Sequence, residues 1–437
     1  MNYLLKNGKV IDPSQKLDLC PLDLLVEKGR IARLEENIAR TATAGRRVKS
    51  GELTLLDVRE RVITPGLIDM HTHLREPGFE YKETIQSGCE AALAGGFTSL
   101  ACMPNTNPVN DNRAVTEFIR RKALESNLVR VYPVAAITKK SAGEMLAEFG
   151  DLQEAGAVAF SDDGKPVMDA GIMRRALEYA SSLNCLVISH CEDLKLSAGG
   201  VMNEGWMSTQ LGLAAIPSLA EDVMVARDIL LAEFTGTPVH IAHLSTQGAV
   251  ALVRQAKERG VRVTAETAPH YFSLTEGYLE NFDTNGKVNP PLRSEGDVAA
   301  LKEGLRDGTI DVIASDHAPH GRTDKELEFD YASFGISGLE TSLALGLRLV
   351  EEKVLTFLQL IEKMTSVPAR LLNIPGGSLA VGAPADVTVI DPDRTWVVNP
   401  ASFRSRGKNT PFASWSLRGK AVLTMVAGEI RYQEEEG

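Results

Sequence analysis

A chain of 437 residues is long enough for one barrel-sized domain plus a smaller one, or for two or three ordinary domains. Apolar residues make up 43% and charged residues 24%, the balance of a soluble globular protein, and 47 Lys plus Arg against 58 Asp plus Glu give a formal charge of −11, which excludes nucleic acid as an expected partner. No basic segment leading into an apolar stretch opens the chain and no apolar run reaches about 18 residues, so no membrane role is expected and a cytoplasmic location is.

Residues 1 to 62 alternate short β-like runs ("YLLKNGKVI", "LDLLVEKGRIARL", "LTLLDV") with Gly, Asp and Pro. From 63 to 375 the pattern becomes a repeated unit of short apolar strand and helical segment, with "LIDMHTHL", "FTSLACMPN", "VRVYPVAAI", "AVAFSDD", "CLVISHC", "PVHIAHL", "VRVTAETA" and "DVIASDHA" as strands. Eight such units predict an α/β fold, a (β/α)8 TIM barrel. After "NIPGGSLAVGAPAD" β-like runs return in "VTVID", "WVVN" and "AVLTMVAGEIRY", and the acidic "EEEG" end reads as a frayed tail. Each end is too small to fold alone, so 1–62 and 376–437 are expected to form one composite, β-sandwich-like satellite domain beside a catalytic barrel at 63–375.

Alternation along a strand points residues i and i+2 to one side, so His71 and His73 face the barrel mouth together and could chelate one ion. Asp162 and Asp163, His190, His243 and Asp316 stand at the C-terminal ends of strands four, five, six and eight, the end where barrels build active sites. Singly, each reads as a structural histidine or a capping aspartate. Together they would bury ionisable groups at a cost of many kcal/mol unless a cation were present. The five cysteines (Cys20, Cys89, Cys102, Cys185, Cys191) are scattered and lack a CxxC pair, so any metal is held by nitrogen and oxygen. That donor set suits catalytic zinc best and is also compatible with manganese, cobalt or iron.

The ordered motifs "DMHTHLREPG", "CMPNTNP", "FSDDG", "ISHCED", "IAHLST" and "ASDHAPH" resemble those of the amidohydrolase superfamily and, within it, the class I bacterial dihydroorotases, over nearly the whole chain. The resemblance implies Zn2+, one or two ions per subunit, with His71, His73 and Asp316 on one ion, His190 and His243 on the other, and Asp163 bridging them. Many relatives bridge with a carboxylated lysine. Here Lys165 lies beyond the strand in the turn, so Asp163 takes that place and Asp162 is the alternative. Arg75, Asn105 and His320 resemble the family's contacts to the substrate carboxylate, and Asn289 a contact to the ring, although Asn289 also suits a turn before Pro290. His240 and His270 read as structural and His317 as a packing or supporting residue.

The reaction this implies is reversible hydrolysis of (S)-dihydroorotate to N-carbamoyl-L-aspartate, a step of pyrimidine biosynthesis in its cyclising direction. In it a metal-bound hydroxide attacks the ring carbonyl and Asp316 serves as general base, then acid. Alternatives are a hydantoinase or allantoinase type of cyclic amidohydrolase, and a structural partner of aspartate carbamoyltransferase. A homo-oligomer is expected, and association with that carbamoyltransferase is left open by the sequence. The polar stretch 321–341 reads either as a lid or as an ordinary surface loop.

Overall fold

The computed structural model describes residues 2–434. Of the tail read as frayed, only Glu434 falls among them, and its carboxylate accepts a hydrogen bond from Lys420 Nζ at 2.5 Å.

Eight parallel strands lie in sequence order around one sheet: β1 (Leu67–Thr72), β2 (Phe97–Cys102), β3 (Arg130–Ala135), β4 (Ala159–Phe160), β5 (Leu186–Ser189), β6 (Val239–Ile241), β7 (Val263–Thr267) and β8 (Val312–Ile313). Each is followed by a helix: α1 (Ile85–Gly95), α2 (Arg113–Ser126), α3 (Phe149–Ala155), α4 (Ala170–Ser182), α5 (Leu219–Thr235), α6 (Gln247–Glu258), α7 (Glu295–Asp307) and α8 (Leu339–Glu351). Local chemistry sets the helix limits. Thr84, Asn112, Asp169, Thr246 and Ser294 cap helix N-termini through their side chains, and Gly96, Gly156, Gly236 and Gly308 end helices in the left-handed conformation.

The eight strands close into a barrel between β8 and β1. Thr72 bridges His317, the His73 N–H donates to the His317 carbonyl at 2.8 Å, and the buried Asp69 carboxylate accepts from the Ser315 N–H at 3.1 Å. A side chain thus supplies part of the seam that backbone ladders supply elsewhere. The barrel interior is packed by Met70, Ala101, Val134, Ala159, Ile188, Ala242, Val312 and Ala314. A larger apolar shell, including Leu67, Phe97, Phe160 and Val187, lies between strands and helices.

The two ends of the chain build two further sheets. One holds Tyr3–Lys6, Asp23–Glu27, Arg30–Glu35 and Thr54–Asp57. The six-stranded other joins Lys9–Asp12, Leu17–Cys20 and Val62–Pro65 from the first segment to Val387–Val397, Ser416–Val426 and Glu429–Gln433 from the last. The sheets share a core of Leu5, Leu24, Val26, Val10, Ile63, Val387, Val389 and Met425, which requires both ends of the chain. Val62–Pro65, straddling the expected boundary at 62/63, belongs to this sheet through antiparallel pairing with 387–390. Residues 398–415 leave it and return to the barrel mouth, where the Asn409 side-chain Oδ1 accepts the His320 N–H at 2.9 Å and Ser405 donates to the buried Glu83. Among the described residues, no helix is long and apolar enough to cross a membrane.

Candidate active site and metal centre

The Asp163 carboxylate, just past the end of β4, stands among four imidazoles. Its Oδ1 lies 3.3 Å from His71 Nε2, 3.6 Å from His190 Nδ1 and 3.6 Å from His243 Nε2, and its Oδ2 lies 3.5 Å from His73 Nε2. Two donor groups result, His71–His73–Asp163 and Asp163–His190–His243, each with its candidate ligand atoms within 4.8 Å of one another. Asp316 joins the first, with Oδ1 3.3 Å from His73 Nε2 and 3.7 Å from His71 Nε2. All six residues are buried.

The cluster fits a divalent cation on its own chemistry. Among the described residues, His71 Nε2 and Asp163 Oδ1 are buried without a hydrogen-bond partner, a condition that protein interiors rarely leave uncompensated. The donors are all nitrogen and oxygen, because Cys191, next to His190, directs its thiol to Ser189 and Asp228. Backbone conformation contributes too. Ala242 packs into the barrel interior, so strict alternation would turn His243 outward, but a φ of +32° at His243 brings it in, and Asp316 is likewise left-handed at +45°.

Asp162 points elsewhere. Its carboxylate accepts from the Thr138 N–H at 3.1 Å and from the Thr138 hydroxyl, so it ties the β3 loop to β4.

Carboxylates behind the imidazoles fix their orientation. Glu266 on β7, 1% exposed, places Oε1 2.6 Å from His71 Nδ1, which keeps a proton on Nδ1 and leaves Nε2, on the Asp163 side, as the atom that would act as ligand. Its other oxygen lies 3.3 Å from His240 Nε2, and His240 Nδ1 is 2.8 Å from the Thr264 hydroxyl. Burial alone would raise the Glu266 pKa, but His71 and His240 outweigh it and hold the carboxyl far below its usual range. Glu192 does the same for His190, with Oε2 3.0 Å from His190 Nε2 while His190 Nδ1 faces His243 Nε2 at 2.8 Å. Asn105 supports His73, its carbonyl oxygen 2.8 Å from Nδ1, and donates to Asp163 Oδ2 at 3.2 Å. His317 faces away, toward Glu83 at 3.3 Å.

Sequence reasoning missed Glu266 and Glu192 and left His240 without a partner. The available signal was an acidic residue at the end of an otherwise apolar strand seven, "VTAET", and a carboxylate two residues after His190.

A cavity of about 180 Å³ opens beside the cluster, lined by Arg75, Asn105, Asn289, Phe334 and Gly335 as well as the candidate ligands. Arg75, with φ +61°, turns back so that Nε donates to the Pro319 carbonyl at 3.2 Å and one terminal nitrogen lies 3.2 Å from His320 Nε2. His320 donates from Nε2 to the Phe334 carbonyl at 2.7 Å and faces Lys82 Nζ through Nδ1 at 3.2 Å. Burial, with the cations of Arg75, Lys82 and Lys325, keeps that imidazole neutral. The Asn289 amide donates to Glu192 at 2.9 Å, so the ring-facing candidate is tied to the group that orients His190. His270 Nε2 lies 4.0 Å from Asp316 Oδ2, both its ring nitrogens are buried without a hydrogen bond among the described residues, and burial lowers its pKa to about 4.

Comparison with known proteins places this geometry. A family model described as Dihydro-orotase-like matches residues 60–249 and one described as Amidohydrolase family matches 251–432. A dihydroorotase of Syntrophus aciditrophicus is 62% identical over 435 residues, covering 100% of both chains. The chain belongs to the dihydroorotase family. A dihydroorotase of Pelotomaculum thermopropionicum is 57% identical over 436 residues, covering 99% of each chain, and one of Geobacter metallireducens is 55% identical over 433 residues, covering 99% of this chain and 100% of its own. Among solved structures, the L-hydantoinase of Arthrobacter aurescens superimposes with a TM-score of 0.87 at 25% identity, covering 99% of this chain and 96% of its own. The dihydropyrimidinase of Brevibacillus agri gives 0.83 at 22% identity, over 99% of this chain and 95% of its own, a likeness of fold. The relatives named as dihydroorotases match from end to end, satellite sheets included.

Proposed function

We propose that this member of the dihydroorotase family opens the ring of (S)-dihydroorotate to N-carbamoyl-L-aspartate and closes it again in pyrimidine biosynthesis, with zinc as the resident ion. The observation that carries the reading is the shared Asp163 carboxylate between two imidazole pairs, beside a cavity whose rim holds the Arg75 guanidinium.

His71, His73, Asp163 and Asp316 would hold one ion, and Asp163, His190 and His243 a second. When bound, such ions supply Lewis acidity at the scissile carbonyl and lower the pKa of water toward roughly 7. The chain's own groups do the rest. Glu266 and Glu192 hold the His71 and His190 rings in place, so the donor set is formed before substrate arrives. Arg75 takes the substrate carboxylate with a guanidinium already desolvated and aimed by Pro319. Asn105 lines the same cavity, His320 stands behind Arg75 against the Phe334 carbonyl, and Asn289 faces the ring from the Glu192 side. Asp316 accepts the proton of the attacking water on its carboxylate and delivers it to the departing ring nitrogen.

The test is the initial rate on dihydroorotate, hydantoin and allantoin by zinc-loaded protein and by Asp316→Asn. Selective opening of dihydroorotate is expected, with a loss of orders of magnitude in Asp316→Asn at retained metal. Equal rates on hydantoin would refute the substrate, and near-normal turnover in the variant would refute the role of Asp316. A homo-oligomer and association with aspartate carbamoyltransferase remain proposals, checked by light scattering with and without the added transferase.

A further inference from the structure

Two lysines lie in the interior beside the active-site cavity, and the reaction uses neither. Lys287 is 2% exposed and Lys325 4%. Among the described residues neither ammonium has a carboxylate at ion-pair distance; both are bound to backbone carbonyls of one irregular stretch. Lys287 Nζ donates to the carbonyls of Phe329 at 2.6 Å and Asp330 at 3.1 Å, and stands 4.6 Å above the centre of the Phe334 ring. Lys325 Nζ donates to Ser333 at 2.7 Å, to Gly335 at 3.1 Å and to the Lys287 carbonyl at 3.4 Å. The Gly335 N–H returns a bond to that same Lys287 carbonyl at 2.9 Å.

This stretch forms one wall of the cavity. Phe334 and Gly335 line it, and the Phe334 carbonyl receives the His320 Nε2 proton. Gly335 is required at its place: φ is +128° and a Cβ would stand 2.7 Å from the Ala318 side chain. Just beyond, the Ala318 N–H donates to the Ile336 carbonyl at 2.7 Å, continuing the β8 edge, and Asn409 reaches in to the Gly335 carbonyl at 2.9 Å.

Irregular backbone buried at this depth needs donors for its carbonyls, and apolar side chains supply none. Burying two ammoniums is expensive, and desolvation lowers Lys325 to about 7 and Lys287 to about 8. That cost is offset by the five lysine-to-carbonyl bonds, which a stretch that opened in each turnover would have to break and remake every cycle.

We infer that Lys287 and Lys325 are positioning residues that clasp residues 329–335 shut, making Phe334 and Gly335 a fixed wall of the substrate cavity rather than a lid. The alternative readings of 321–341 thereby separate for its central part. The inference rests on the dihydroorotate reading only for the choice of substrate.

Hydrogen exchange on the metal-loaded, full-length wild-type chain tests it directly, with and without N-carbamoyl-L-aspartate. A clasp leaves the Gly335 and Ala318 amides strongly protected in the free enzyme, with little change when ligand is added. Fast exchange in the free enzyme that slows roughly tenfold or more with ligand overturns the clasp and restores the lid. This readout does not depend on catalysis, so it fails or succeeds separately from the assigned reaction. Kinetics of Lys325→Met supply a second test: KM should rise roughly tenfold or more while kcat stays within about threefold and metal content is unchanged, because the wall shifts but the ligands do not. A wild-type KM in that variant overturns the positioning role.

Discussion

Replacing Glu266 by Gln tests how far a residue that touches no substrate controls the metal centre. The substitution keeps volume and removes one charge from a position 1% exposed. Glu266 serves two rings at once, with Oε1 2.6 Å from His71 Nδ1 and Oε2 3.3 Å from His240 Nε2. An amide offers one carbonyl and one NH2, so it can satisfy one ring as before and must present N–H to the other. If the NH2 faces His71, that ring accepts at Nδ1 and carries its proton on Nε2, the atom directed at Asp163. If it faces His240, His71 keeps its tautomer but loses the charge that strengthens it as a ligand. Either outcome weakens the first donor group. Losses from such supporting groups run about 10–100-fold in metal affinity, or roughly 1.4–2.7 kcal/mol. Competition against a chromophoric chelator gives the affinity, and circular dichroism shows whether the variant is folded. A folded Glu266→Gln protein binding metal within about twofold of wild type would refute the argument.

Asp163→Asn should lose metal from both donor groups, whereas Asp162→Asn should keep metal and lose stability through the Thr138 contacts; metal analysis after dialysis, with thermal melts, separates the two. Metal binding should also release protons. Burial lowers the His71 and His190 pKa values, but their carboxylate neighbours outweigh it and raise His71 well above its usual value and His190 to about 10, so at neutral pH both rings must give up a proton to become ligands. Affinity therefore falls as pH drops and protons compete more strongly, and loading in weak buffer at pH 7.5 should acidify the solution; loading without proton release would contradict this.

Much of the site was legible because its pattern is local. His71 and His73 are two apart on one strand, and Asp163, His190 and Asp316 follow their own strands closely, so short apolar runs and alternation were enough to bring them to one rim. Glu266 was not legible in this way, because its partner is 195 residues away and the contact exists only once β7 and β1 stand across the same barrel. His243 shows a different limit. Alternation counted from Ala242 gives the wrong face, and only a backbone in the left-handed region corrects it. The return of residues 398–415 to the barrel mouth was hidden for a third reason: the β-like runs on either side assign the segment to the satellite sheets, yet Asn409 braces His320 and Gly335.

Charge balance connects the supporting carboxylates to the choice of substrate. Asp163, Asp316, Glu192 and Glu266 are all buried around the cluster, each 8% exposed or less. The imidazoles are neutral when they act as ligands, so they cancel none of this charge. One divalent ion would leave a surplus of two negative charges in an interior where each unpaired charge costs several kcal/mol, whereas two would balance the four carboxylates. Arg75 is within electrostatic reach of Asp316 and Asp163, but among the described residues it is hydrogen-bonded to neither carboxylate: its Nε donates to the Pro319 carbonyl and one terminal nitrogen lies beside the neutral His320. Its positive charge is left for a group that arrives with the substrate. Under the proposed function, a ring carrying one carboxylate would complete the pairing and a ring amide without one would leave a desolvated guanidinium unpaired, so the arrangement that would hold the metals would also discriminate among cyclic amides.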